Sequence, residues 1–127
     1  MEQNSWKNSL DVPNLKGDSV LYNSVDNLSV YSYADNEVFL DIVHYIEQFI
    51  YVYNRVFQDK KYKWIGIGQK ILIQIENAMR RLERNVSVKY NSGQRQKVLT
   101  DFRERAELVL DIIKGYVVNI IREIKSC

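Results

Sequence analysis

The sequence predicts an all-α protein: a bundle of three main helices, completed by an N-terminal arm or by a second subunit. From about residue 36 onward, apolar residues recur every three or four positions, which is the spacing of one helical face. Five Gly and one Pro among 127 residues are too few for the tight turns of a β-sandwich or barrel. With 46% hydrophobic and 27% charged residues, the chain is typical of one globular domain with one core.

Residues 1–34 are predicted to be a polar N-terminal arm, distinct from a helical domain of residues 35–127. The arm is rich in Ser and Asn and contains the only Pro. Residues 19–33 mix β-branched and aromatic side chains around a turn signal at residues 25–27, which fits either a short hairpin or a tail packed on the helices. Since a lone hairpin is marginally stable in water, we expect this segment to pack through its apolar side chains. These are Val20, Tyr22, Leu28, Val30 and Tyr31.

The first predicted helix spans about residues 36–57 and begins where Asp35 or Asn36 can cap it. A short acceptor side chain at that position satisfies the first free backbone amides. One apolar stripe is formed by Phe39, Ile42, Val43, Ile46, Ile50, Tyr53 and Phe57. Further apolar residues widen this stripe to nearly half the circumference, more than one neighbouring helix usually covers. We therefore expect part of this helix to contact a second subunit.

The second and third predicted helices cover about residues 64–85 and 94–125. At a rise of about 1.5 Å per residue, the third helix is nearly 50 Å long, whereas the first two reach only about 30 Å. Its far end therefore needs cover from the N-terminal arm or from another copy of the chain. The predicted oligomer interface comprises Tyr45, Phe49, Val52 and Val56 on the first helix and Val117, Ile120, Ile121 and Ile124 on the third.

Basic side chains are concentrated in the middle of the chain. The net charge is only +2, but residues 1–57 hold three basic and eight acidic side chains, whereas residues 58–105 hold twelve basic and five acidic ones. Such a cluster can neutralise nucleic-acid phosphates and release their counterions. It can also bind an acidic protein, or it can be no more than a solvated helix end. The candidate binding residues are Lys60, Lys61, Lys63, Arg80, Arg81, Arg84, Lys89, Arg95 and Lys97.

No pattern of side chains indicates catalysis. His44 is the only histidine, and nothing identifies a nucleophile beside it. The segment 66–70 (GIGQK) lacks the glycine spacing and the Ser or Thr of a phosphate-binding loop. We therefore expect no catalytic residue, no cofactor and no metal. The alternative is a magnesium-dependent all-α nucleotide hydrolase, with carboxylates from Glu104, Glu107, Asp111, Glu76 and Glu83.

The expected location is the cytoplasm. Residues 1–16 are polar rather than an apolar signal sequence, and no run of 18 apolar residues could span a membrane. The single Cys127 cannot close an intramolecular disulfide, which fits a reducing compartment. A composition low in Gly, Pro and Ala fits an AT-rich genome, such as that of a phage or other mobile element.

Residues 57–85 (FQDKKYKWIGIGQKILIQIENAMRRLERN) resemble the second-helix region of a small four-helix-bundle family that includes the accessory variability proteins of diversity-generating retroelements. The shared features are a Phe, a basic stretch, an aromatic residue and a Gly-Gln-basic-Ile start to an amphipathic helix. The resemblance implies ring-like oligomers with a positive surface that bind a reverse transcriptase and nucleic acid. It places Lys60, Lys61, Lys63, Arg80, Arg81 and Arg84 at the binding surface. The chain departs from the family in its polar arm and in having three predicted helices instead of four.

The function predicted from these observations is that of a non-enzymatic helical binding or accessory module. We expect it to form a homo-oligomer and to contact a larger protein or a nucleoprotein, with a basic end suited to nucleic-acid phosphates. A second possibility is a small inhibitor or adaptor protein of a phage or other mobile element, acting through protein–protein contact. Neither function involves a membrane.

Overall fold

The computed structural model describes residues 19–125, and they form an all-α bundle without strands. This confirms the predicted fold class. Within this range there are four α-helices: α1 is Ser19–Leu28, α2 is Asn36–Phe57, α3 is Ile65–Val88 and α4 is Ser92–Lys125. Two short 3-10 helices, Ser29–Ala34 and Tyr62–Trp64, lie between them. Residues 1–18 of the predicted arm and the terminal Cys127 fall outside the described range.

One hydrophobic core joins the four helices. Helix α2 packs along α3, α3 packs on α4, and the short α1 covers part of α4. The largest fully buried side chains come from α1, α2, α3 and α4 alike: Leu21, Leu28, Phe39, Ile42, Ile46, Phe49, Ile50, Ile75, Leu82 and Phe102. Each helix therefore contributes an apolar face to one shared interior.

The predicted hairpin in residues 19–33 is wrong, because this segment is helical. Leu21, Val25 and Leu28 are spaced by four and three residues, and all three are fully buried, so they form the inner face of α1. The turn signal at residues 25–27 lies inside the helix, since burial of this face outweighs the local turn preference. The alternative expectation, that the segment packs on the helices, is confirmed. Tyr31 is buried as well, whereas Val30 is exposed.

Asp35 is the N-cap of α2, as predicted. Its Oδ1 accepts a hydrogen bond from the backbone amide of Val38 at 3.1 Å. Its Oδ2 accepts a second bond from Nδ2 of Asn85 near the end of α3, at 2.8 Å. One carboxylate therefore sets both where α2 begins and how its first turn sits against α3.

Helices α3 and α4 continue further into their connection than the sequence predicts. The predicted loop of residues 86–93 is reduced to residues 89–91, because Val86 is fully buried and extends α3 by another turn. On the other side, the backbone amides of Gln94 and Arg95 bond to the carbonyl oxygen of Asn91, which starts α4 at Ser92.

The C-terminal third of α4 packs on α2 of the same chain. The ring of Tyr116 lies 6.5 Å from that of Phe49 and 4.8 Å from that of Tyr53, measured between ring centroids. Near the end of α4, Glu123 pairs with Lys60 in the connector that precedes α3. The far end of α4 is therefore held by α2 and the connector.

This packing corrects half of the predicted oligomer interface. Phe49, Val52, Val56 and Ile120 are buried inside the single chain and form part of its core, so they are not available to another copy. The broad apolar arc of α2 is explained by cover from both α3 and α4. The other four residues remain at or near the surface: Tyr45 and Val117 are half-buried, and Ile121 and Ile124 are exposed.

Candidate nucleic-acid interface

The nine predicted basic residues lie at two opposite ends of α3. Lys60, Lys61 and Lys63 are in the connector before α3, whereas the other six surround its last turns and the start of α4. At about 1.5 Å per residue, these ends are roughly 30 Å apart. The structure therefore divides the predicted cluster into two surfaces. The larger one is called the basic end here and consists of Arg80, Arg81, Arg84, Lys89, Arg95 and Lys97.

Arg95 ties the two helices of the basic end together. Its Nε donates to the carbonyl oxygen of Ser87 at 3.1 Å, and its Nη2 donates to that of Tyr90 at 3.0 Å. The last carbonyls of a helix lack partners within the helix and carry partial negative charge. A guanidinium from the first turn of α4 thus stabilises the end of α3, and Arg95 acts as a positioning residue.

Four cations of the basic end have no carboxylate partner among residues 19–125. Arg81, Arg84, Lys89 and Lys97 are all exposed. A fifth, Arg80, donates to the neutral side-chain oxygen of Asn77 at 2.7 Å.

Two of the nearby carboxylates are already neutralised by other arginines, whereas the exposed Glu104 is not. Glu83 pairs with Arg103 at 2.7 Å, and Asp101 pairs with Arg105 at 2.8 Å. No cation of the basic end is therefore paired with a carboxylate of residues 19–125.

A hydrogen-bonded network beside the basic end was not anticipated from the sequence. The hydroxyl of Tyr31 donates to Oδ2 of Asp101, which also accepts a bond from Nε of Arg105 at 2.8 Å. Nη1 of Arg105 in turn bonds the carbonyl oxygen of Asn27 at 2.9 Å. Because Asn27 and Tyr31 precede Asp101 and Arg105 by 70 or more positions in sequence, only the folded chain brings the two pairs together. The network fastens α1 and the Ser29–Ala34 segment to α4.

The network shifts two pKa values in opposite directions. Burial, followed by the hydrogen bond to Asp101, raises the pKa of Tyr31 to about 12. The hydrogen bond from Tyr31, followed by that from Arg105, lowers the pKa of Asp101. Both effects favour the state with a neutral phenol and a charged carboxylate.

This network predicts an alkaline loss of stability that depends on Tyr31. Since its pKa is raised on folding, its contribution is complete below pH 10 and is lost as the pH rises towards 12. We expect the free energy of unfolding to fall by about 2 kcal/mol more over this range in the wild type than in Tyr31→Phe. Urea unfolding of both proteins at several pH values measures this difference. Identical pH dependence in the two proteins would contradict the assignment.

A cleft of about 210 Å³ lies between α3 and α4. Met79, Phe102 and Ala106 form its buried floor, and charged side chains of both signs form its rim. The rim residues are Glu76, Arg80, Glu83, Arg103 and Glu107.

Three of the five carboxylates expected of a magnesium-dependent hydrolase line this cleft: Glu76, Glu83 and Glu107. Glu83 is bonded to Arg103, and Glu76 lies 3.6 Å from Nζ of Lys114. Glu104 and Asp111 do not line the cleft. Among residues 19–125, no three His, Cys, Asp or Glu side chains are placed to hold a metal ion.

The other two features singled out in the sequence have structural explanations. His44 is exposed, and its Nδ1 lies 2.9 Å from Oε1 of Glu47 one turn later. Gly68 is buried where α3 meets α2, and a Cβ built there would lie 3.4 Å from Cγ1 of Val52. A glycine at this position allows the two helices to approach closely. Within the segment 66–70, only Gly68 is buried in the helix packing, and the other four residues are exposed.

No family model matches the chain, and no curated protein or solved structure shows significant similarity to it. The resemblance to the accessory variability proteins therefore stays a prediction. In the described part of the chain, no helix is both long enough and apolar enough to cross a membrane.

Proposed function

We propose that this protein is a non-enzymatic, self-associating accessory module that contacts nucleic acid through its basic end. The observation that carries the proposal is a group of exposed cations at the junction of α3 and α4 that have no carboxylate partner in the described range 19–125: Arg81, Arg84, Lys89 and Lys97. Duplex DNA carries one negative charge per about 1.7 Å of its axis, so several phosphates lie within reach of a surface of this size. The larger partner is then a nucleoprotein.

The contact is made to the phosphate backbone and not to base edges. Lys and Arg that meet phosphates supply affinity and orientation but carry no sequence information. The six Lys and Arg of the basic end lie at the end of a helix pair, with exposed uncharged side chains such as Gln94 and Gln96 among them. We therefore expect binding that depends little on sequence and strongly on salt.

Neutralising two of the unpaired cations tests the proposal. Arg81→Gln with Arg84→Gln removes two charges on adjacent turns of α3 without breaking an ion pair of the described chain. On a fluorescent duplex, we expect the affinity at low salt to fall at least tenfold. The plot of log affinity against log salt loses about 0.9 of slope per phosphate contact removed, or roughly 2 in total. Fluorescence anisotropy at several salt concentrations measures both quantities.

The connector supplies a matched control. Lys61→Gln with Lys63→Gln lowers the net charge by the same two units at the opposite end of α3. The proposal requires this variant to bind the duplex nearly as well as the wild type. Equal losses in the two variants would indicate a general effect of net charge and would overturn the assignment to the basic end. Absence of binding to both duplex DNA and RNA by the wild type would overturn the nucleic-acid proposal itself.

A further inference from the structure

The solvent side of α4 carries a regular line of residues that the described part of the chain, residues 19–125, leaves uncovered. Glu104, Leu108, Asp111, Gly115, Val118 and Arg122 follow one another at alternating spacings of four and three, which keeps them on one side of the helix. This line, called the outer face here, lies opposite the buried Phe102, Val109 and Ile113. Leu108 and Val118 are 53% and 45% exposed, respectively.

Packing among residues 19–125 does not require a glycine at Gly115, in the middle of the outer face. A Cβ built at this position meets nothing within 4 Å. Alanine would therefore fit, and it would favour the helix more than glycine does. A glycine on an exposed helix face does permit the close approach of another backbone. This makes the middle of the outer face suited to a contact with a second helix.

The charges of the outer face are arranged with opposite signs on either side of Gly115. Glu104 and Asp111 precede it, whereas Arg122 and the following Lys125 come after it. None of these four side chains has an ionic partner within residues 19–125. A second α4 that runs in the opposite direction would bring the acidic half of one copy against the basic half of the other.

We infer that two copies of this chain pair through the outer faces of α4, antiparallel about a two-fold axis near residue 113. In this register, Glu104 meets Arg122 of the partner subunit, and Leu108 meets Val118 of the partner subunit. Asp111 then meets Gly115 of the partner subunit, where the missing side chain leaves room. The spacings along the outer face are four, three, four, three and four residues, in either direction along the helix. This register therefore places every residue of the outer face opposite a residue of the partner subunit's outer face. A two-fold interface of this kind is self-complementary.

This inference rests on the self-association in the proposed function and not on the binding of nucleic acid. It replaces the buried part of the interface predicted from the sequence with residues that are open to a partner. The exposed Ile121 lies one turn after Val118, on the flank of the outer face, and can add apolar contact at its margin. The pairing is a reversible association, so the fraction of dimer is expected to depend on protein concentration.

Charge reversal tests both the pairing and its register. Glu104→Arg and Arg122→Glu each place like charges opposite one another in the pair, and each is expected to raise the dissociation constant at least tenfold. The double variant restores opposite charges and should bring the constant back to within threefold of the wild-type value. Sedimentation equilibrium without nucleic acid measures the constant, with the 15.1 kDa chain as the monomer mass. Arg81→Glu, which reverses an exposed cation on α3, is the matched control and should leave dimerisation unchanged.

A second variant tests the contact at Gly115. Gly115→Leu has room within the single chain, so helical circular dichroism should be retained while dimerisation is lost. A wild-type protein that remains monomeric at 100 µM or more would overturn the pairing. An unchanged dissociation constant in both single charge-reversal variants would overturn it as well. Failure of the double variant to recover would overturn the register. Duplex binding by the Gly115→Leu variant is measured in a separate experiment. Failure of the pairing can therefore be distinguished from failure of the nucleic-acid proposal.

Discussion

Replacing Phe49 by alanine should lower the free energy of unfolding by about 3–5 kcal/mol, the usual cost of removing a buried phenyl group. The side chain is 1% exposed and packs beside the ring of Tyr116 on α4. Because Phe49 lies inside one chain, the loss should not depend on protein concentration. Urea unfolding at two concentrations that differ by a hundredfold measures the effect.

The same experiment separates the core of one chain from an interface between chains. Ile121→Ala removes an apolar side chain that is 40% exposed near the end of α4, and we expect it to cost less than about 1 kcal/mol. If Phe49→Ala changed the dimerisation constant and left the stability of the monomer intact, the placement of Phe49 in the core would be wrong.

Replacing Leu28 by alanine should cost about 2–5 kcal/mol, because the side chain is fully buried where α1 packs into the bundle. The size of this effect tests whether the segment before residue 35 belongs to the folded domain. Val30→Ala is the control, since its side chain is 54% exposed and only two residues away. We expect the control to change stability by less than about 0.5 kcal/mol. Thermal unfolding of the two variants measures the difference in stability. Equal and small losses in both variants would contradict the packing of α1 in the core.

The helices that the sequence predicted well are those with long apolar periodicity and a clear start signal. Helix α2 begins after Asp35 and ends at Phe57, as its stripe and cap indicated. Helices α3 and α4 were correctly placed but too short at their junction, because a buried Val86 outweighs the loop-forming residues around it. Periodicity reports which residues can be buried, and this was enough to fix the fold class.

The predictions were wrong where the burial of a residue depends on which other helix packs against it. Leu21, Val25 and Leu28 carry a helical spacing, but three apolar residues among Ser, Asn and Asp do not outweigh a turn signal when read alone. The wide apolar arc of α2 was assigned to a second subunit, because the sequence cannot show that the end of α4 folds back onto it. Likewise, the basic residues are near one another in sequence, but a helix of 24 residues separates them in space.

The hydrogen bonds from Arg95 to the end of α3 affect the entropy that the protein loses when it binds a target. With its guanidinium fixed on the carbonyl oxygens of Ser87 and Tyr90, the junction between α3 and α4 is already rigid before any contact is made. Little backbone entropy is then lost on binding, and the cost is confined to the tips of the lysine and arginine side chains. A junction of this kind holds the backbone positions that carry its charges at fixed distances, so it favours a stiff, evenly charged rod over a flexible single strand.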